Sequence, residues 1–310
     1  MNTASPLPKV ALIAGPTASG KSALALDLAD RHRGTIVNAD SAQVYGDLRI
    51  VTARPSDADE ARVPHRLFGH VDAADAGHNA ARWAADARAA IDETLAAGRL
   101  PILVGGTGLY LRTLIDGIAP VPAIDPAIRA EIRTLPVAQA HDALAALDPA
   151  AAARLAPADT TRVARALEVV RATGRTLAEW QRDKTGGIGA AVDLRAAILL
   201  PDRDWLNARI DTRFAAIVAD AQAEVAALLA RTDIAADAPI RRAIGVPELA
   251  ALLRGEIGRD AAIAAGALAT RRYAKRQATW FRHQPPSGWA RLVGNDSDAW
   301  TAQIDVLLRE

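Results

Sequence analysis

The residues best equipped for chemistry stand near the start of the chain. In "GPTASGKS", Gly15, Gly20, Lys21 and Ser22 hold G-x-x-x-x-G-K-S spacing. Glycines let successive backbone N–H groups converge on phosphate oxygens, and a helix that follows presents its positive end. The lysine of such a loop reaches terminal phosphates, and the next hydroxyl is placed to coordinate Mg²⁺. The spacing predicts a cradle for a chain of phosphates. It leaves open whether the phosphate is transferred, sensed or used as a handle. Asp40, in "TIVNADSAQVY", ends an apolar run. An aspartate there could hold Mg²⁺ through water, accept a proton from a nucleophile, or simply cap a turn. In "VGGTGLYL", Thr107 sits on a glycine-rich turn that suits a phosphate or bridging oxygen, and equally a plain tight turn.

Two arginine pairs have helical spacing: Arg162 with Arg165 in "TTRVARALEVV", opposite the apolar residues Val163, Leu167 and Val170, and Arg209 with Arg213 in "ARIDTRF". Each suits phosphate recognition by the planar guanidinium fork, or a solvated helix face with local ion pairs. "RRYAKRQATWFRH", residues 271–283, sets Arg271, Arg272, Lys275, Arg276 and Arg282 among Tyr273, Trp280 and Phe281, with no acid. Basic groups for backbone phosphates and aromatics for unpaired bases make this a nucleic-acid pattern. A helix burying its aromatics and wetting its charges has the same pattern. The histidines show no metal-ligand spacing, His65 and His70 in "PHRLFGH" being too weak a pair. No N-K-x-D guanine signature is present, and the strand-like "LPILVGGT" runs into glycines rather than a Mg²⁺-holding acid.

The elements that must position these groups follow from periodicity. "KVALIAG", "GTIVNAD" and "LPILVGG" are short apolar runs ending in Gly or Asp, with helical patterns between them. Strand and helix in alternation predict right-handed crossovers and a parallel sheet covered on both faces. A fourth strand, "DLRAAILLP", comes only near residue 193. The expected fold is therefore α/β: a P-loop, kinase-like parallel sheet flanked by helices, built from residues 1–120 and 193–310. Alanine-rich helices over 121–192 form a helical insertion domain, and "TRVARALEVVRATG" within them could also pack on the core.

Composition narrows the setting. The 310 residues carry a net charge of +1, so any basic surface is local. Cysteine is absent, which excludes disulfides and thiolate chemistry and makes a reducing cytoplasm the simplest home. No apolar run is long enough for a membrane span. "MNTASPLPK" lacks the basic and apolar regions of a secretory signal.

In this order, "GPTASGKSALA", "NADSAQVYGDLRIVTARP", "PHRLFGHVD", "PILVGGTGLYLRTLIDG", "TRVARALEVVRATGRTLAEW", "RIDTRF", "RRAIGVPELAALLRGEI" and "TRRYAKRQATWFR" resemble the tRNA dimethylallyltransferases, or tRNA isopentenyltransferases. The resemblance runs from residue 14 to 282. "DSAQVY", "VGGTGLY" and "AKRQATWFR" separate this family from other phosphate-loop proteins. Departures lie at Val246 and Pro247, where the family often has Tyr and a basic or polar residue, and in "LRIVTARP" where "MDIGTAKP" is common.

The resemblance implies transfer of the dimethylallyl group from dimethylallyl diphosphate to N6 of the adenosine immediately 3′ of the anticodon, in tRNAs reading codons that begin with U. By position, Gly15, Pro16, Thr17, Ala18, Ser19, Gly20, Lys21 and Ser22 would bind the diphosphate, with Mg²⁺ near Ser22. Asp40 would be the general base and Thr107 would contact the bridging oxygen. Arg213, with Arg209, would neutralise the leaving group. Asp40, Ser41, Ala42, Gln43, Thr107, Arg129 and the run Thr161, Arg162, Val163, Ala164, Arg165 match tRNA-contacting positions. So do Arg242, Ala243, Ile244, Gly245, Val246 and Pro247, and Lys275, Arg276, Gln277, Ala278, Thr279, Trp280, Phe281 and Arg282. The expected partners are the tRNA anticodon stem-loop and dimethylallyl diphosphate, with no membrane and a monomeric chain. An ATP-dependent small-molecule kinase is the alternative that the loop alone would support.

Overall fold

A computed structural model describes residues 6–309. Residues 1–5, where the stretch read for a targeting signal begins, lie outside them. The sheet opens with β1 (Lys9–Ala14), α1 (Lys21–Arg31), β2 (Gly34–Asn38), α2 (Asp57–Arg62) and β3 (His65–Arg66). It continues with α3 (Ala80–Ala96), β4 (Leu100–Gly105) and α4 (Gly108–Asp116). Five helices follow: α5 (Pro126–Thr134), α6 (Val137–Leu147), α7 (Pro149–Arg154), α8 (Thr160–Thr173) and α9 (Leu177–Trp180). The chain returns through β5 (Asp193–Leu200), α10 (Arg203–Asp220), α11 (Gln222–Ala230), α12 (Val246–Leu253), α13 (Arg259–His283), β6 (Ala290–Val293) and α14 (Ser297–Arg309).

Two compact units result, one made of the chain up to Leu114 and from Ile188 onward, the other of Ile115–Gly187. Both limits fall a few residues before those expected from the sequence. The first unit holds a six-stranded sheet, all pairs parallel, in the order β3-β2-β4-β1-β5-β6. Strands β1, β2 and β4 are buried along almost their whole length, as a parallel sheet covered on both faces requires. On one face Ile13, Ile36, Ile102 and Leu199 pack with Leu24 and Leu28 of α1 and Trp300, Ile304 and Leu308 of α14. Each such side chain contributes about 1.5–3 kcal/mol on burial.

Trp83 of α3 is fully buried and donates its indole N–H to the Asn38 carbonyl at 3.0 Å. It thereby ties α3 to the end of β2. Strands β3 and β6 are additions to the sequence reading; at two and four residues they are too short for a hydrophobic period. The chain bends at Ala221, between α10 and α11.

The second unit has its own core of Ile132, Leu144, Val163, Leu167 and Val170. The α8 helix therefore packs with its neighbours in this unit. Aspartates 125, 148 and 159 cap α5, α7 and α8, with Pro126 and Pro149 in the first turns of α5 and α7. Buried Glu168 is met by Arg133 at 3.1 Å, with Arg129 and Arg165 each at 3.9 Å, so its charge is not left alone. Ile118 and Thr185 exchange two backbone hydrogen bonds of 3.0 Å, which closes the unit where the chain enters and leaves it.

The sheet's carboxyl edge is packed to the limit at β4. A Cβ on Gly105 would lie 2.1 Å from the Ala39 carbonyl oxygen, a contact that only backbone movement could relieve. Gly105→Ala is expected to lower unfolding free energy by about 1–3 kcal/mol in urea denaturation. Gly288→Ala, where a Cβ meets open space, is expected to stay within about 0.5 kcal/mol of the parent.

Candidate active site

Sheet order reverses around β1 and β4, so the loops after β1, β2 and β4 converge at one carboxyl edge, where α/β sheets place their ligands. The loop after β1 has the contorted backbone that its glycines predict. Gly20 takes φ 92°, Ala18 takes the left-handed φ 63°, and a Cβ on Gly15 would lie 2.8 Å from the Leu199 carbonyl. Ser19 N–H donates to the Pro16 carbonyl at 3.3 Å, and Lys21 Nζ donates to the same oxygen at 3.1 Å. Lys21 and Ser22 open α1, so its N-terminal amides face the loop. Ser22 is exposed, and its hydroxyl has no hydrogen-bond partner among the described residues. Ser19 Oγ is enclosed and also unpartnered.

Lys21 is buried, and that burial lowers its pKa to about 8, with the Arg213 charge adding to the depression and the Asp40 carboxylate opposing it. Arg213 is pulled down by its own desolvation, again opposed by Asp40. Two cations and one carboxylate leave the site with a surplus of positive charge, ready for an anion. Arg209 is more exposed; its Nε donates to the Ala18 carbonyl at 3.0 Å and its guanidinium lies 4.6 Å above the Trp205 ring.

Asp40 is held from both sides of its peptide. Its N–H donates to Asn38 Oδ1 at 2.8 Å, and its Oδ1 accepts the Ala42 N–H at 2.9 Å. Oδ2 has no hydrogen bond among the described residues, and Asp40 lines a cavity. The Thr107 N–H donates to the Ala39 carbonyl, while its Oγ1 accepts the Ser41 N–H at 2.9 Å and donates to Ser41 Oγ at 3.2 Å. Desolvation, with Asp40 nearby, raises the Tyr273 pKa against hydrogen bonding from Thr107 and Gln277, so the phenol stays protonated. Gln277 ties the elements together. Buried on α13, it accepts the Thr17 N–H at 2.8 Å and donates to the Gly106 carbonyl at 2.9 Å.

Of these groups, Thr17, Ala18, Asp40, Ser41, Arg213 and Tyr273 line a cavity of about 470 Å³. Thr17, Asp40, Ser41, Arg213 and Tyr273 make the polar end; Val51, Ile210, Phe214, Ile217, Ile240 and Ile244 make an apolar wall. Such a shape accepts a ligand with a charged head and a hydrocarbon body. The segment 49–53 is pinned by Glu224 of α11, whose carboxylate accepts the N–H groups of Arg49, Ile50 and Val51. Gln43 Nε2 in turn donates to the Thr52 and Ala53 carbonyls at 2.8 and 2.9 Å, and Arg213 donates to Thr52 at 3.4 Å. Glu224, Tyr110 and the apolar wall apart from Ile244 were not singled out as site residues from the sequence, and Tyr273 was named only as an aromatic of the basic segment. Tyr110 and Tyr273 stood inside the quoted motifs; nothing local marks Glu224, which acts across a long gap in the chain.

The RNA-matched residues divide by position. Lys275, Arg276, Thr279 and Arg282 share an exposed face of α13, and Arg276 lies 5.6 Å from the Tyr273 ring. Trp280 is half-buried, with Arg112 5.8 Å from its ring. Ala278 is half-buried beside them. Arg242, Ala243 and Ile244 line the cavity, and Pro247 is exposed. Phe281, Gln277, Gly245 and Val246 are buried, so they seat α13 and α12 instead of offering side chains to a partner. In the helical unit Thr161 and Arg162 are exposed and Ala164 and Arg165 half-exposed, whereas Val163 is core, because its helix turns that position inward. Arg129 lies 3.9 Å from Glu168.

A phosphate cradle at the edge of a parallel sheet, with helices on both faces, defines a P-loop protein of the kinase-like class. The IPP transferase family model matches residues 43–284. A protein of Sphingopyxis alaskensis named tRNA dimethylallyltransferase is 61% identical over 97% of this chain and 98% of its own length. One of the same name in Erythrobacter litoralis is 58% identical over 92% and 91%. The crystal structure of a tRNA isopentenylpyrophosphate transferase from Bacillus halodurans superposes with TM-score 0.67 at 31% identity, over 97% of both chains. A eukaryotic dimethylallyltransferase captured acting on tRNA gives TM-score 0.77 at 27% identity, over 88% of this chain and 70% of that one. The chain belongs to the IPP transferase family.

Protonated Lys21 is the anion-binding form, and a bound anion raises its pKa. Pyrophosphate affinity is therefore full below the free-chain value of about 8 and is lost above it. Between pH 7 and 9 the dissociation constant is expected to rise about tenfold in the parent relative to Lys21→Arg, which shares the ligand's own titration. Calorimetric titration at both pH values checks this. Glu224→Ala is expected to speed amide exchange at Ile50 and Val51 by about tenfold or more, with the β1 amides unchanged.

Proposed function

We propose that this chain transfers the dimethylallyl group of dimethylallyl diphosphate to N6 of the adenosine immediately 3′ of the anticodon, in tRNAs that read codons beginning with U, and releases diphosphate. The observation that carries this reading is one cavity joining a phosphate cradle, a carboxylate with an unused oxygen and an apolar wall. The likeness to proteins named tRNA dimethylallyltransferase supports it. In this reading the working form is a cytoplasmic monomer. Among the described residues no helix is long and apolar enough to cross a membrane.

Residues Gly15–Ser22 hold the diphosphate, and the apolar wall takes the five-carbon group. As the allylic C–O bond breaks, Lys21 and Arg213, with Arg209 at the rim, meet the departing negative charge. The N6 lone pair forms the new C–N bond, and its proton passes to Asp40 Oδ2. Support for this role is that Oδ1 is already engaged by the Ala42 amide, which fixes the carboxylate's orientation. Thr107, whose hydroxyl is engaged by Ser41, turns it to the bridging oxygen. The adenine must leave its stack to reach this depth, and the basic face of α13, the segment 242–247 and residues 129 and 161–165 are proposed to hold the stem-loop around it.

The donors available to a metal are all oxygens: the unengaged Ser22 hydroxyl and, through water, Asp40. That set fits a hard cation. Mg²⁺ held there would neutralise charge on the diphosphate and so ease its departure.

Incubation with labelled dimethylallyl diphosphate and unmodified tRNA, followed by nucleoside analysis, is expected to give N6-(dimethylallyl)adenosine. Absence of transfer to any adenosine-bearing anticodon loop overturns the reading. Asp40→Ala is expected to cut single-turnover transfer by about 10²–10⁴-fold with tRNA affinity largely retained; unchanged turnover removes Asp40 from its assigned role.

A further inference from the structure

Three side chains, of which His78 lines the cavity, take no part in the steps above. His70 follows β3, His78 immediately precedes Asn79, the N-cap of α3, and Asp86 lies on that helix. They recur every eighth residue, a spacing with no ligand signature, and only the fold brings them together. One ligand atom from each lies within 4.8 Å of the other two. His70 Nε2 stands 3.7 Å from Asp86 Oδ2, which is too far for a hydrogen bond. It is close to the separation of about 3.4 Å between two donors on one tetrahedral ion. The rings of His70 and His78 meet edge-on with centroids 5.7 Å apart. His78 Nε2 is enclosed and has no hydrogen-bond partner among the described residues. An enclosed ring nitrogen left so is costly unless something uses it.

The backbones that carry these groups are fixed independently. Val71 bridges to Tyr45, its N–H donating to the Val44 carbonyl at 2.9 Å, which anchors the residue after His70. Asn79 Oδ1 accepts from Ala81 and Arg82, and Gly77 N–H donates to Asp75, so the turn holding His78 is set before any ligand arrives.

We propose that His70, His78 and Asp86 bind one divalent transition-metal ion of the zinc class, with His78 reaching it from the rim of the reaction cavity. Two imidazoles and a carboxylate are a borderline donor set that suits such an ion, and three protein donors leave a fourth position for water. The set differs from the all-oxygen donors near Ser22, so the two positions select different metals. His78 lines the cavity together with Asp40 and Tyr110, its ring 6.5 Å from that of Tyr110. An ion here fastens the loop after β3 to α3 beside the reacting groups.

The full chain, stripped with a chelator and returned to chelator-free buffer, is titrated with Zn²⁺ alone by calorimetry. One site of micromolar or tighter affinity is expected. Asp86→Asn and His78→Gln are each expected to weaken it about tenfold or more, while Asp40→Asn and Ser22→Ala leave it unchanged. Thermal melts without zinc show that the variants are folded. Affinity only in the millimolar range overturns the proposal, as does a tight site that survives replacement of both His70 and His78 by Gln.

Discussion

The buried amide of Gln277 is the contact on which the site's geometry depends. Its oxygen takes an N–H from the phosphate loop and its nitrogen gives to the turn after β4, so one planar group sets the gap between two loops that otherwise belong to different strands. Only glycine at position 106 leaves room for it, since a Cβ there would lie 2.2 Å from the amide nitrogen. Gly108 has the same relation to Trp280, with a Cβ at 2.5 Å from its ring. The glycines of "VGGTG" therefore serve less as free hinges than as surfaces stripped of side chain, against which α13 can lie. An arrangement that close fixes where Thr17, Thr107 and Tyr273 stand relative to one another.

Electrostatics at this edge favour an anion. Lys21 and Arg213 are both desolvated, and a single carboxylate does not balance them. A kinase needs its phosphate loop to steady a phosphoryl group in flight. A prenyl transfer instead needs the whole diphosphate to be a good leaving group, and buried cations met from several sides favour that departure. In the proposed reaction the apolar wall is the other half of this logic, because it would offer an allylic group a dry place without competing for the charge.

Much of this was legible in the sequence where the signal is local. The spacing of Gly15, Gly20, Lys21 and Ser22 specifies a loop conformation, and the alternation of apolar runs with amphipathic ones specifies a parallel sheet. Strands β3 and β6 were not legible, because a two- or four-residue strand is defined by its neighbour's hydrogen bonds and not by its own pattern. Facing direction was the other gap. Motif likeness grouped Val163, Val246, Gln277 and Phe281 with exposed neighbours, whereas helix geometry turns each of them inward. Glu224 and the His70–His78–Asp86 cluster depend on contacts between distant parts of the chain, which no window of residues contains.

The paired hydrogen bonds between Ile118 and Thr185 give the helical unit a single doorway. A segment whose two ends coincide, and which carries its own apolar centre, behaves as a cassette. Its length and contents can change over evolutionary time without disturbing the strand order of the sheet it interrupts. During synthesis it can also condense before β5 has emerged, so its own core need not wait for the sheet to be completed.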